Sequence, residues 1–372
     1  MQYVDYGKTG LKVSRFGLGY MRLGGMSKTD AVAMARYAID HGVNYIDTAY
    51  IYEGSEEILA KALKGGLRDK VIVASKAPMW SIETQADLEK YLDIQLKRLN
   101  TDFIDVYLLH NLYGKNWEKV QKLDGFTFLE DMVKKGKIGI KGFSAHCLTD
   151  LFREIVDSYP WEMAQVQLNI LDVENQVGLE GLLYGASKGL AMVTMESLRG
   201  GGIINCMPQS VAALLDAYPE KRSLIEWAFR WLYDKPEVTV ILSGTTSVEQ
   251  VAENIRIFEN ARTGCMSEAD QELIAMIRAE YEAQSVINCT ACEYCMPCPV
   301  GVAIPSIFRL YNNFKCFHDT YGDKLIYSDS YVSQKRGADL CVACGSCETV
   351  CPQHLPIIES LKTAHDGMLI ST

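Results

Sequence analysis

The sequence predicts an α/β protein: a closed (β/α)8 barrel over residues 1–285, then a smaller, mostly α-helical domain over residues 286–372. Two patterns carry this expectation. Eight short apolar runs alternate with amphipathic stretches through the first part of the chain, and eight of the 12 cysteines fall in two compact runs after residue 288. Strands alternating with helices are the pattern of a parallel sheet closed into a TIM barrel. An open, doubly wound nucleotide-binding sheet would carry a G-x-G-x-x-G turn after its first strand, and none follows here.

The elements read in order as follows. Residues 3–14 form a hairpin around Gly7-Lys8-Thr9-Gly10. The eight apolar runs are 16–19, 44–49, 71–76, 103–110, 138–144, 164–169, 190–196 and 238–244. Each is short and mostly apolar, as expected of a strand covered on both faces. Residues 29–41 start a helix from a cap at Ser27 or Thr29, and 53–63 is helical in composition. Residues 84–99 place Leu88, Leu92, Leu96 and Leu99 on one stripe. Helices over 148–159 and 221–233 follow, and 248–258 aligns Val251, Ile255 and Phe258. Residues 267–285, rich in Glu and Ala, form a last helix that ends the barrel. Between the cysteine runs, Ile307, Leu310, Phe314 and Phe317 recur at helical spacing, so that domain is expected to be helical. The tail, 359–372, reads as one short helix and a frayed end.

A chain of 372 residues with 48% hydrophobic residues builds a sizeable core and a second, smaller unit. The charge balance, 37 − 47 = −10, argues against a general nucleic-acid binder, which needs a basic face. Residues 1–17 hold no apolar stretch of signal-peptide length, and no run reaches the roughly 18 apolar residues of a membrane span. A cytoplasmic protein with no membrane or nucleic-acid partner is expected.

The cysteine runs read Cys289-x2-Cys292-x2-Cys295-x2-Cys298-Pro299 and Cys341-x2-Cys344-x2-Cys347-x3-Cys351-Pro352. Zinc ribbons use two Cys-x2-Cys pairs, and disulfide frameworks belong to oxidising compartments. Runs of four match the spacing of bacterial-type ferredoxins, which hold two [4Fe–4S] clusters and send the cysteine before Pro to the other cluster. On that scheme one cluster takes Cys289, Cys292, Cys295 and Cys351, and the other takes Cys341, Cys344, Cys347 and Cys298. The first run is one residue short before its last cysteine, and Pro297 and Pro299 fix the backbone around Cys298. Cys147, Cys206, Cys265 and Cys316 read as packing thiols.

In a (β/α)8 barrel the chemistry sits at the C-terminal ends of the strands. The second strand ends in Asp47, with Tyr52 five residues on; the third ends in Lys76, the fourth in His110. A phenol with a pKa of about 10 is a poor acid near neutrality. A neighbouring ammonium lowers that pKa, a carboxylate holds the ammonium in place, and an imidazole orients a carbonyl. Such a set protonates an alkoxide as it forms, and needs a hydride donor opposite.

These residues lie in Asp47-Thr48-Ala49-Tyr50-Ile51-Tyr52 with Gly54-Ser55-Glu56, in Ser75-Lys76, and in Asp105-Val106-Tyr107-Leu108-Leu109-His110. With Gly136-Lys137-Ile138 and Gly142-Phe143-Ser144, they make residues 1–285 resemble the aldo-keto reductases. The whole chain resembles the branch of that family with a C-terminal two-[4Fe–4S] ferredoxin domain. The resemblance implies Tyr52 as general acid, Lys76 as its pKa-lowering partner, Asp47 as partner of Lys76, and His110 as carbonyl orienter. It also implies NADPH or NADH held without a Rossmann fold. Ser144 and Gln165 match carboxamide contacts, but Ala145 stands where an Asn is usual. Met195, in Met195-Glu196-Ser197-Leu198, takes the place of a stacking aromatic. Gly244, Thr245 and Thr246, with Asn254, match the adenosine-phosphate segment, and Gln250 stands where an Arg commonly meets the 2′-phosphate. A neutral amide gives no charge-assisted contact, so the choice between NADPH and NADH stays open.

The function expected is nicotinamide-dependent reduction of a small aldehyde or ketone, or oxidation of an alcohol, by a barrel fused to an electron-transfer module. A hydride carries two electrons and a cubane passes one, so a flavoprotein or ferredoxin is the expected electron partner. A cluster-fed one-electron enzyme and a redox-sensing nucleotide-binding protein are the alternatives.

Overall fold

The computed structural model describes the chain except residues 24, 25, 285, 290–292, 294, 318, 319, 352, 371 and 372. Cys292, Pro352 and the expected domain boundary at residue 285 therefore lie outside the described residues. The chain divides into two compact units, Met1–Gly200 with Arg222–Ile274, and Gly201–Lys221 with Ala275–Thr372.

The first unit opens with an antiparallel hairpin, β1 (Tyr3–Asp5) and β2 (Lys12–Ser14). Eight parallel strands follow: β3 (Phe16–Gly19), β4 (Tyr45–Asp47), β5 (Ile72–Ala77), β6 (Ile104–Leu112), β7 (Ile138–Ala145), β8 (Met163–Gln167), β9 (Ala191–Met195) and β10 (Val238–Gly244). They pair in sequence order, and β10 closes on β3. The barrel interior is filled by inward residues such as Val106, Leu108, Met163, Val193 and Val240, and the hairpin adds Tyr6 and Val13. Each buried aliphatic side chain of this kind contributes about 1.5–3 kcal/mol. The Tyr6 and Tyr45 hydroxyls meet at 3.1 Å, at the first residue of β4. The hairpin thus packs at the N-terminal ends of the strands.

Helices α1 (Lys28–Asp40), α2 (Ser55–Ala62), α3 (Gln85–Leu99), α4 (Gly114–Lys122), α5 (Gly125–Lys134), α6 (Thr149–Ser158) and α7 (Gly178–Ser187) alternate with the strands. Ser27, rather than Thr29, caps α1 by accepting the Asp30 N–H at 3.1 Å. Thr84 and Asp87 form a capping box on α3. The sequence pattern did not single out α4, α5 or α7. In α7, Gly181 and Gly185 weaken the helical signal. A Cβ on Gly185 would fall 2.7 Å from the Met192 sulfur of β9, and one on Gly181 would fall 2.5 Å from Val177 Cγ1. Helices α10 (Leu224–Tyr233) and α11 (Val248–Phe258) complete this unit's ring, after α8 (Gly202–Asn205) and α9 (Gln209–Ala217) of the other unit. Helix α12 (Glu268–Glu282) follows.

The C-terminal region is helical, as expected: α13 (Ile304–Cys316), α14 (Tyr321–Ile326) running into a π-helical turn over Tyr327–Val332, α15 (Ser346–Thr349) and α16 (Ile357–Met368). Ile307, Leu310 and Phe314 are buried on α13, and Phe317 directly after it. Among the described residues no helix is long and apolar enough to cross a membrane.

Candidate active site and cluster ligands

Asp47 closes β4 and Lys76 lies next to the end of β5. Adjacent strands bring them together: the fully buried Lys76 ammonium donates to both Asp47 carboxylate oxygens at 2.7 Å and to the Thr48 carbonyl at 2.8 Å. Burial pushes Lys76 down and Asp47 up from their ordinary values, and each opposes the shift of the other. Behind the pair stands a second buried carboxylate. Glu56 of α2 accepts from Ser75 Oγ and Gln95 Nε2, both at 2.8 Å, and from Arg98 at 3.3 Å. Gln95 also donates to the Lys76 carbonyl at 3.1 Å and accepts from the Tyr107 hydroxyl at 2.7 Å. Gln95 carried no sequence signal: it is a polar residue beside the leucine stripe of α3.

Tyr52 sits on the loop between β4 and α2, with the Lys76 ammonium 5.2 Å from its ring centroid. Its ring meets His110 edge-on at 6.2 Å. The ammonium was expected to lower the phenol's pKa. Here the phenol is raised, first by burial, then by Asp47 and Glu196. Withdrawal from water disfavours the phenolate, and the two nearby carboxylates disfavour it further.

His110 was expected at the end of its strand, but β6 runs on to Leu112. Between the pairs Leu109↔Phe143 and Leu112↔Ala145, β6 carries one residue more than β7. Asn111 takes up this bulge in the left-handed region, φ 55, and its N–H donates to Ser144 Oγ at 2.8 Å. Bulges of this kind re-aim a neighbouring side chain. The His110 ring lies 5.0 Å from that of Trp80, and its Nδ1 is buried without a partner. Burial, then Lys76 and His146, hold His110 well below the usual imidazole range, so it is neutral at pH 7.

Of the residues expected to meet a nucleotide, Gln165 and Met195 come together in the barrel mouth, with Gln165 Nε2 3.6 Å from the Met195 sulfur. Gln165 Oε1 is buried and unpartnered. Ser144 is buried in β7, and Leu198 is half-buried after β9. Gly244, Thr246 and Gln250 are exposed where β10 joins α11. Gln250 turns back on its own helix end, accepting from the Thr246 N–H at 2.9 Å. Thr245 and Asn254 face inward; Asn254 donates to Ser243 Oγ at 3.1 Å.

A further polar network was not legible beforehand. Buried Asp172 accepts from Gln167 at 2.9 Å, Asn169 at 2.8 Å and Arg199 at 2.8 Å. Gln176 joins this group to His146, bonding Gln167 on one side and His146 Nδ1, at 2.9 Å, on the other. The network ties the segment after β8 to the loop after β9, where Glu196 and Arg199 both adopt positive φ.

In the second unit a cavity of about 180 Å³ is walled by Cys295, Cys298, Cys341, Cys344 and Cys347, with apolar side chains between them. Among the described residues, no three His, Cys, Asp or Glu side chains close on a single metal ion; the thiols ring a space instead. That space is several times the ~30 Å³ share of one water. A set of thiols round an apolar cavity suits an iron–sulfur group. Cys289 and Cys351 are half-buried in the same unit.

The fold is thus that of a (β/α)8 barrel with a polar constellation at its C-terminal rim, joined to a cysteine-rich helical region. The Aldo/keto reductase family profile matches residues 15–210, and the 4Fe-4S dicluster domain profile matches residues 288–355. This chain belongs to the aldo/keto reductase family and carries a C-terminal 4Fe–4S dicluster domain. It is similar to an L-galactose dehydrogenase of Arabidopsis thaliana, at 28% identity over 74% of this chain and 93% of that protein. An NADH-specific methylglyoxal reductase of Escherichia coli is 26% identical over 68% of this chain and 93% of its own length. Among solved structures, the holo form of an aldo-keto reductase from Bacillus halodurans superposes with a TM-score of 0.64, at 24% identity, covering 74% of this chain and 96% of that one.

Proposed function

We propose that the barrel reduces a small aldehyde or ketone with NADPH or NADH, or runs the reverse oxidation, and that the dicluster domain exchanges single electrons with a flavoprotein or ferredoxin partner. The observation that carries this reading is the convergence of Asp47, Lys76, Tyr52 and His110 on one rim, with Lys76 held at 2.7 Å by Asp47 and 5.2 Å from the Tyr52 ring. The buried, unpartnered Gln165 Oε1 beside Met195 suits the amide N–H of a nicotinamide carboxamide. Two relatives, an L-galactose dehydrogenase and a methylglyoxal reductase, support a small carbonyl or alcohol substrate.

Bound dihydronicotinamide supplies the hydride that reaches the carbonyl carbon. Tyr52 gives its proton to the carbonyl oxygen and is reprotonated from water. Its raised pKa keeps the proton in place until negative charge builds on that oxygen. Neutral His110 offers a ring nitrogen to the same oxygen and adds no charge of its own. Lys76 compensates the phenolate after transfer, and Asp47 fixes Lys76. For the dicluster domain, Cys298 with Cys341, Cys344 and Cys347 would hold one [4Fe–4S] cluster, and Cys289, Cys292, Cys295 and Cys351 the other.

Tyr52→Phe tests the barrel chemistry. Loss of general acid catalysis should lower kcat by about 10²–10⁴-fold. Nucleotide affinity should be nearly unchanged, because the proton is needed in the transition state and not in the ground state. Turnover within a few-fold of the unmodified protein would remove Tyr52 from the mechanism.

A further inference from the structure

The polar chain that runs from Asp172 to His146 has no part in the proton transfer, yet its polarity is fixed throughout. Asp172 is buried and takes the Arg199 Nε–H at 2.8 Å, so it is a carboxylate and can only accept. Burial pushes it up, but Arg199 and the amide donors together hold it below the usual carboxylate range. Gln167 therefore turns its NH2 to Asp172, at 2.9 Å, and its oxygen to Gln176. Gln176 gives its own NH2 to Gln167, which leaves its oxygen for His146 Nδ1, at 2.9 Å. An oxygen there requires a hydrogen on Nδ1. The neutral ring of His146 accordingly carries its hydrogen on Nδ1 and a bare lone pair on Nε2. Among the described residues, Nε2 has no hydrogen-bond partner.

Strand register places that nitrogen. Alternate residues of a barrel strand face inward. Ile140 belongs to the barrel interior, so its row on β7 carries Ser144 and then, just past the strand end, His146. Ser144 pairs with Gln165, which puts His146 in register with Gln167. Leu109 pairs with Phe143, which puts His110 level with Ser144. His146 thus stands two residues, about 7 Å, beyond that level toward the open end of the barrel. Its Nδ1 is turned to Gln176 and the β8 side. The two nitrogens of an imidazole point in nearly opposite directions, so Nε2 faces the β6 side, where His110 stands. His146 is near enough to help hold His110 down, and it is half-buried, so its ring borders open space.

A lone pair oriented by three buried side chains and left uncommitted fits a donor on the ligand. The carbonyl oxygen between Tyr52 and His110 is an acceptor and does not match it. A hydroxyl on the adjacent carbon does. We propose that His146 is a specificity-determining residue that selects α-hydroxy carbonyl compounds, its Nε2 accepting the hydroxyl hydrogen. Gln176, Gln167 and Asp172 position it by fixing the tautomer. Its place beside the reacting carbon rests on the carbonyl-reduction reading above.

The test compares kcat/KM within two substrate pairs that exchange a hydroxyl for a methyl: hydroxyacetone against butanone, and glycolaldehyde against propanal. Full-length, anaerobically prepared protein is assayed with NADH and with NADPH, unmodified and as His146→Asn, His146→Gln and His146→Phe. Asn sets its amide where Nδ1 stands, so it keeps a donor for Gln176 and removes Nε2; Gln reaches the place of Nε2 and keeps an acceptor there. The intrinsic reactivity of each carbonyl cancels when the hydroxy-to-methyl ratio is compared between proteins. Loss of one hydrogen bond should lower that ratio about 2- to 12-fold in His146→Asn, and His146→Gln should fall between. Tryptophan fluorescence verifies folding; should His146→Asn not fold, His146→Phe gives the same comparison. A ratio unchanged or raised in both pairs overturns the role of His146 and leaves the reduction reading standing. If the unmodified protein reduces none of the four compounds with either nucleotide, the reduction reading fails and the role of His146 with it.

Discussion

Replacing Lys76 by Met should destabilise the barrel in a pH-dependent way. The ammonium is fully buried and makes three hydrogen bonds, two of them to Asp47 at 2.7 Å. Methionine keeps most of the stem volume and removes the charge, so the change leaves a buried carboxylate without its cation. Breaking a buried ion pair from one side costs about 3–5 kcal/mol. Asp47 limits that cost by taking up a proton, because burial already pushes its pKa up and Lys76 no longer opposes this. The sign follows from linkage. A folded-state pKa raised above the unfolded value of about 3.9 gives stability that is full below about pH 4 and lost as pH rises through the folded pKa. The slope is at most about 1.4 kcal/mol per pH unit for one proton. The variant should therefore lose stability as pH rises above about 4 more steeply than the unmodified protein, where Lys76 counters the shift. Urea unfolding followed by tryptophan fluorescence measures this for the barrel alone: Trp80, Trp117, Trp161, Trp227 and Trp231 are the chain's five tryptophans, and all lie in the first unit. The double variant Lys76→Met/Asp47→Asn should recover much of the loss, because no buried charge remains. Equal stability of Lys76→Met and the unmodified protein at the higher pH, or a double variant weaker than the single, would refute this account of the pair.

Two further outcomes concern the ligands. Cys298→Ala should remove one cluster, about four irons, and leave the same electron paramagnetic resonance spectrum as Cys341→Ala, because the crossed ferredoxin scheme gives both thiols to one cluster; a spectrum matching Cys289→Ala would end the crossed pairing. Gln250→Arg should shift nucleotide preference toward NADPH by about one to two decades, the worth of one charge-assisted contact, with NADH affinity nearly unchanged; a fluorescence titration showing equal gains for both nucleotides would mean that residue 250 does not face the 2′-phosphate.

The periodicities were local and could be read directly. Strand β10 was expected over the residues where it lies, as was α11, because apolar runs and stripes repeat within a few residues of each other. The catalytic candidates were legible for a similar reason: each sits at or near the end of a strand the sequence already marked. Helix α7 escaped notice because its packing demanded glycine. The pattern at Gly181 and Gly185 looks like a loop until the Met192 side chain on β9 explains it.

What the sequence determined by itself was the order of elements, the strand-end residues and the cysteine spacing, since all three depend on neighbours in the chain. Tertiary structure decided what those residues face. It set the phenol of Tyr52 upward in pKa, by burying it first and then by setting Asp47 and Glu196 near it. It re-aimed His110 through a bulge that appears only when β6 is paired with β7. It buried Glu56 and Gln95 behind Lys76. Charges act through space and hydrogen bonds need geometry, so contacts between distant segments become readable only once the barrel has closed.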